Sequence, residues 1–169
     1  MSYLNIWLTM NNDATIQTLE SLLETAVNNT EDVKGQFKKG LGAIKGNEKQ
    51  KIVVSDTRKI TGSLNIDTST ATKYPQDNRW DYAVEYNKET FFIEVHPGST
   101  NEIPTIIAKL AWLKQWLKDK APEIDALKPK NKQAYHWVYT NKYAILPNSK
   151  YARQLAQMNM MPVKQWICK

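Results

Sequence analysis

Apolar positions recur along this chain at two periods, and the switches between them mark its elements. From residue 13 to 28, Ile16, Leu19, Leu22, Leu23, Ala26 and Val27 repeat at helical spacing behind Asp13, a side chain suited to an N-cap. Asn28-Asn29 ends that helix. A second helix starting at Thr30 or Asp32 reaches Phe37 or Ile44, against the weakening effect of Gly40, Gly42 and Gly46. The period then falls to two. Lys51–Val54 and Gly62–Asp67 are strand candidates, followed by a polar loop over 68–78. The clearest alternation runs from Arg79 to Tyr86. Trp80, Tyr82, Val84 and Tyr86 take one side, and Arg79, Asp81, Ala83 and Glu85 the other. Asn87-Lys88-Glu89 turns the chain, and Thr90–His96 returns as an apolar run broken by Glu94. Such a run suits a strand covered on both faces.

Pro97-Gly98 closes that strand, and Ser99 or Thr100 caps a long helix. Glu102 stands in its first turn, where a carboxylate suits the helix dipole, and Pro104 is tolerated there. Ile103, Ile106, Ile107, Leu110, Leu113 and Leu117 form its apolar stripe, and Ala121-Pro122 stops it. Ala134–Tyr139 and Tyr143–Leu146 read as two further strands joined by Thr140-Asn141-Lys142. A last helix spans Lys150–Met158. This order predicts an α/β fold, a mixed central β-sheet with flanking helices. No break divides the chain, so 1–169 reads as a single domain. It comprises an N-terminal helical region 13–46, a sheet core 51–146, and a C-terminal helix and tail 147–169.

Composition narrows the function classes. At 169 residues, 41% hydrophobic and 24% charged, the chain has the make-up of an ordinary globular domain able to bury a sizeable core. A single cysteine, Cys168, excludes an internal disulfide framework and a Cys-rich zinc site. No run approaches the roughly 20 apolar residues of a membrane span. Met1–Leu8 lacks the basic start of a signal sequence, so the cytoplasm is the expected compartment. The net charge of +6 favours polyanionic partners, nucleic acid first, with a protein partner as the other class. The lysines are scattered apart from Lys38-Lys39 and the stretch 128–132.

The candidate chemistry sits on the central hairpin. Glu94 and His96 are two apart on one strand, so they share a face about 6–7 Å apart. A register that levels Asp81 with them brings three metal-capable groups to one sheet end. Two carboxylates suit a hard cation such as Mg²⁺ or Mn²⁺. Such an ion activates water and stabilises charge on a phosphodiester. Glu94 also stands among Phe91, Phe92, Ile93 and Val95. A buried carboxylate there requires a cation, a metal or Arg79 beside it. The alternative is a half-exposed strand-end glutamate paired with Arg79 or a lysine. His136, with Tyr135, Trp137 and Tyr139 on the opposite face, reads as a sheet residue, and Trp112 and Trp116 read as packing. There is no phosphate-binding glycine loop, nucleophile elbow, zinc-helix motif or dinucleotide fingerprint.

Asp81 in one strand and Glu94-Val95-His96 in the next, between a preceding and a following helix, resemble the PD-(D/E)xK superfamily of restriction-endonuclease-like nucleases. The resemblance implies a core of helix, three strands, helix and strand. It implies that Asp81 and Glu94 bind a metal and that a helix acid, Glu20 or Glu24, assists. Trp80 stands where that motif has proline, and His96 where it has lysine. A neutral His96 can still assist proton transfer or bind the metal, and a lysine migrated to the following helix, Lys109, is another candidate for that role. Lys109 lies off the apolar stripe, on a flank that reads as solvated, with approach to the sheet end as the alternative. Gly62–Asp67, Arg79–Tyr82 and Glu94–Pro97 also resemble blocks in small uncharacterised bacterial proteins, which adds Asp67 as a third acidic candidate. Its other reading is a cap on the turn that follows. The implied activity is a metal-dependent nuclease; an inactive nucleic-acid- or protein-binding module of the same fold is the alternative.

Overall fold

The computed structural model describes residues 20–169. Asp13, Ile16 and Leu19 of the expected first helix lie outside those residues. Helix α1 spans Leu22–Asn29, capped by Ser21, whose Oγ accepts the Glu24 N–H at 3.1 Å. Leu23, Ala26 and Val27 are its buried face. The expected second helix is a single 3-10 turn, Glu31–Val33, followed by strand β1, Lys38–Lys39. Gly35 and Gly40 adopt positive φ (76° and 55°), a conformation that a right-handed helix does not contain.

Strand β2 is Ile52–Val54 and β3 is Ile60–Asn65. The expected loop begins instead with a short helix, α2, at Ile66–Thr70, because the Asn65 side chain accepts the Thr68 N–H at 2.9 Å. Strands β4, Tyr82–Tyr86, and β5, Glu89–His96, form the hairpin. Its turn residues Asn87 and Lys88 both have positive φ (52° and 65°), as a two-residue hairpin requires. Helices α3 (Ile103–Lys120) and α4 (Pro122–Ala126) lead to β6, Tyr135–Tyr139. Helix α5, Lys150–Gln157, and strand β7, Trp166–Cys168, complete the chain.

The main sheet has the order β1-β3-β4-β5-β6. Its first three pairings are antiparallel, and β6 runs parallel to β5. A parallel neighbour needs a crossover, and α3 lies within it. The fold is therefore mixed α/β, with a five-stranded mixed sheet. β2 and β7 pair in parallel as a second, two-stranded sheet.

Two strand expectations change. Tyr143–Leu146 is no strand and contributes one bridge, Ala144 to Ser99. The free edge of β6 is taken by Val163, which exchanges backbone hydrogen bonds with Trp137 and Tyr139 at 2.9 Å each. Trp80 does not share a side with Tyr82. It precedes β4 and enters the helix-side core with Leu64, Ala83, Phe92 and Trp137, whereas Tyr82, Val84 and Tyr86 enter the opposite one. Alternation holds only once the backbone is a paired strand. Rings such as Trp80, Trp137 and Phe92 are fully buried, each stabilising by roughly 1.5–3 kcal/mol. Helices α1, α3, α4 and α5 cover this face. The other face is closed by Ile44, Ile52, Trp166 and Cys168, from irregular chain and the small sheet.

Candidate active site

The hairpin register decides where the acids fall. Tyr82 pairs with Ile93 at the last paired position, so Asp81 stands one step on, opposite Glu94. The two are tied reciprocally. The Asp81 N–H donates to Glu94 Oε2 at 3.0 Å, and the Val95 N–H donates to Asp81 Oδ2 at 3.0 Å. Each carboxylate thus has one oxygen held by backbone. The other two, Asp81 Oδ1 and Glu94 Oε1, converge on Lys109 Nζ of α3. Lys109 is 3.3 Å from Asp81 and in direct contact with Glu94.

Lys109 arrives there because Glu94 shares a strand face with Phe92, which is the face α3 covers. Ile106, Leu110 and Leu113 bury the helix beneath it. The solvated placement expected for Lys109 does not hold: its side chain is 13% exposed. A flank position and a long flexible stem let a lysine reach inward where an opposite charge awaits. Glu94 is fully buried, and Lys109, not Arg79, is its cationic partner.

His96 lies at the outer rim. Its Nε2 is 2.7 Å from Glu102 Oε2, just before α3, and its Nδ1 is 3.5 Å from Glu94 Oε1. With a side chain 22% exposed, it is the group of the cluster most open to solvent after Glu102. Burial, and then the neighbouring Glu94 charge, push the Asp81 carboxyl up to about 7 despite Lys109. Burial opposes the charge on Lys109, but the Glu94 and Asp81 carboxylates outweigh it and raise its pKa. The His96 pKa is raised by its contact with Glu94, and by Glu102, against burial. Asp81 therefore exchanges a proton near neutral pH, while Lys109 keeps its charge.

Asp67 is placed differently. Its Oδ1 accepts from Arg79 Nε at 2.9 Å, and the same guanidinium donates to the carbonyls of Tyr74 and Asp77. Arg79 stitches the 67–79 loop and is thereby turned to Asp67 and away from Glu94. Glu20 and Glu24 are exposed. The buried acid that meets α1 is Glu85. It accepts from the N–H groups of Leu22 (2.9 Å) and Leu23 (3.3 Å), from Thr61 Oγ1 (2.6 Å) and from the Ser21 hydroxyl. A carboxylate suits that helix start. Its signal in the sequence was a charge inside a short, otherwise apolar and aromatic strand. Glu102 carried no signal beyond its place in a first helical turn.

Two clefts among the described residues lie on the other side of the sheet, around His136 and Trp166, and a third is lined by Gln50, Lys51, Lys164 and Gln165. His136 donates to or accepts from nothing catalytic: its Nε2 meets the Gln133 carbonyl at 2.9 Å, and burial pushes its pKa down. It is a sheet residue beside Phe91 and Trp166. Among the described residues, no three His, Cys, Asp or Glu side chains are grouped to hold a metal ion. What Asp81 and Glu94 offer is two converging oxygens, a set that a hard cation can accept when water completes its shell. No helix among the described residues is long and apolar enough to cross a membrane. No protein-family model matches the chain, and no curated protein or solved structure matches it either.

Proposed function

We propose that the protein is a divergent, metal-dependent nuclease-like domain of the PD-(D/E)xK kind, acting on nucleic acid through Asp81, Glu94, Lys109 and His96. The convergence of two carboxylates from adjacent strands and a lysine from the crossing helix on one point carries this reading. Support also comes from α1, β3, β4, β5, α3 and β6, which follow as helix, three strands, helix and strand once the short interposed elements β1, β2, α2 and α4 are set aside. The chain's net positive charge suits a polyanion.

Asp81 and Glu94 would hold Mg²⁺ or Mn²⁺, which supplies Lewis acidity toward a phosphate oxygen and a lowered pKa for bound water. The chain's own groups do the rest. The backbone N–H groups of Asp81 and Val95 fix the outer carboxylate oxygens, so the inner pair keeps its direction. Lys109 presents a preorganised positive charge at that pair, where negative charge develops on a phosphate. His96 at the rim has its Nε2 against Glu102 and its Nδ1 toward Glu94, so it would hold or pass a proton between those two carboxylates.

Calorimetric titration with Mn²⁺, paired with cleavage assays on labelled DNA and RNA, tests this. Wild type should bind the ion and cut, and Asp81→Asn and Glu94→Gln should do neither while remaining folded. Cleavage retained in both variants would remove the proposal.

A second reading has its own observation. Lys109 already neutralises the carboxylate pair, and His96 stands in the motif's lysine position. On that reading the site is inert and the fold binds nucleic acid or a protein partner without cutting. Salt-sensitive binding with no metal requirement is its signature.

A further inference from the structure

The positive charge of this protein is not spread evenly. The segment from Lys34 to Lys59 carries eight basic residues against two acidic ones, Glu48 and Asp56. That excess equals the net charge of the whole chain, +6, so the remaining residues balance. Lys34, Lys38, Lys39, Lys45 and Lys49 are exposed, and none lies within 4.0 Å of an acidic group among the described residues. Asp56 is occupied by Arg58, and Glu48 by the Tyr82 hydroxyl at 2.5 Å.

The fold lays residues 45–51 of this segment against the sheet end that bears the acids, while Lys38 and Lys39 edge β3 level with Val84 and Glu85, and the Lys59 carbonyl accepts from Asn87 at the hairpin turn. The Lys45 N–H reaches the Tyr82 hydroxyl at 3.4 Å, and Tyr82 follows Asp81. Lys51 Nζ donates to the Tyr139 carbonyl at 3.1 Å, and Tyr139 is the register partner of His96. Residues 45–51 thus run from the Asp81 side to the His96 side, on the sheet face opposite α3. The apolar side chains of the segment point inward: Ile44 and Ile52 are buried, and Val53 is its one large exposed hydrophobic. A lipid surface would call for apolar anchors among the lysines, which this segment lacks.

We propose that residues 34–59 form a phosphate-backbone-binding surface for nucleic acid, leading a strand to the rim of the Asp81–Glu94–Lys109 cluster. Delivery to that cluster rests on the nuclease reading, whereas binding does not. Lysines strung on an uncompensated surface hold phosphates and release condensed counterions, whatever the sequence.

Fluorescence anisotropy in metal-free buffer tests it, with DNA and RNA oligonucleotides of about 20 residues, longer than a single-strand site. Wild type is compared with a Lys38→Gln, Lys39→Gln, Lys45→Gln, Lys49→Gln variant. The control removes equal charge elsewhere: Lys88→Gln, Lys118→Gln, Lys120→Gln, Lys142→Gln. The first variant should lose about tenfold or more in affinity, with a log–log salt slope shallower by about 3, while the control stays near wild type. Equal losses in both variants would overturn the surface. So would wild type that ignores oligonucleotides, or that prefers phosphatidylserine vesicles. The two proposals separate cleanly with Mn²⁺ added. Localised binding without cleavage by wild type supports the surface and removes the nuclease. Cleavage by the segment variant at unchanged KM removes the surface and leaves the nuclease.

Discussion

Glu85 and Glu94 are the two fully buried glutamates of the central hairpin, on the same helix-covered face and about 13 Å apart along it. They meet the cost of burial in opposite ways. Glu85 is surrounded by neutral donors, two of them the N–H groups that start α1. Glu94 accepts a single backbone N–H, that of Asp81, and is otherwise held by a cation, Lys109, beside a half-buried histidine. Backbone donors are fixed and specific to one carboxylate, which makes Glu85 a brace between helix and sheet. An ammonium on a flexible stem is a mobile partner, which makes Glu94 the better candidate for chemistry. The same residue type, a few positions apart, is structural in one place and the best candidate for chemistry in the other.

The sharpest way to break that contrast is activity. On the nuclease reading, Glu94→Gln should reduce cleavage to background, whereas Glu85→Gln should leave the activity of the folded fraction intact. Loss in both, with circular dichroism unchanged, would show that the two acids belong to one site. Next in size is the charge left behind when Lys109 is removed. Lys109→Met should destabilise by about 3–5 kcal/mol near neutral pH, read from urea midpoints, because buried Glu94 and half-buried Asp81 lose their cation. Adding Glu94→Gln to it should recover much of that loss, a non-additivity expected of direct partners. Glu85→Ala should cost about 2–3 kcal/mol by stranding the Leu22 and Leu23 N–H groups and the Thr61 hydroxyl, and Lys109→Met should not alter that cost.

The smallest effect is in pH. The Asp81 carboxyl titrates at about 7 in the folded chain against 3.8 ordinarily. The folded state therefore binds this proton more tightly, so its contribution to stability is full below about pH 4 and is lost as pH rises through 7. Thermal melts should show that decline between these values in wild type and a flatter profile in Asp81→Asn. His96, whose pKa is also raised, adds a loss in the same direction above 6.5. An unchanged profile in Asp81→Asn would place the titrating group elsewhere.

Part of the candidate cluster was legible in the sequence. The turn signal at Asn87-Lys88-Glu89 and the alternating flanks imply a hairpin, but the register that puts Asp81 opposite Glu94 was left to the fold, where Glu89 pairs with Tyr86 and the turn is two residues. His96 follows from the two-residue period of the strand. Lys109 was visible as a candidate only through the family resemblance, and its flank position pointed to solvent. Its inward reach depends on a side-chain rotamer that no period encodes. Arg79 was a plausible partner for Glu94 by proximity in the chain, but the loop it stitches through Asp67 and Tyr74 claimed it first.

What the amino-acid order determined by itself is local. The β4–β5 hairpin, α3, β6 and α5 each carry a period, a cap or a breaker within their own residues, and those signals act over a few positions. The decisions left to the tertiary structure join distant segments. Ile52–Val54 pairs with Trp166–Cys168, Val163 rather than Tyr143–Leu146 edges β6, and Glu85 finds the start of α1. Each is settled by which surfaces remain uncovered once the hairpin and helices have packed, and by which buried charge still lacks a partner. Neither condition exists in a stretch of chain, because both belong to the assembled core.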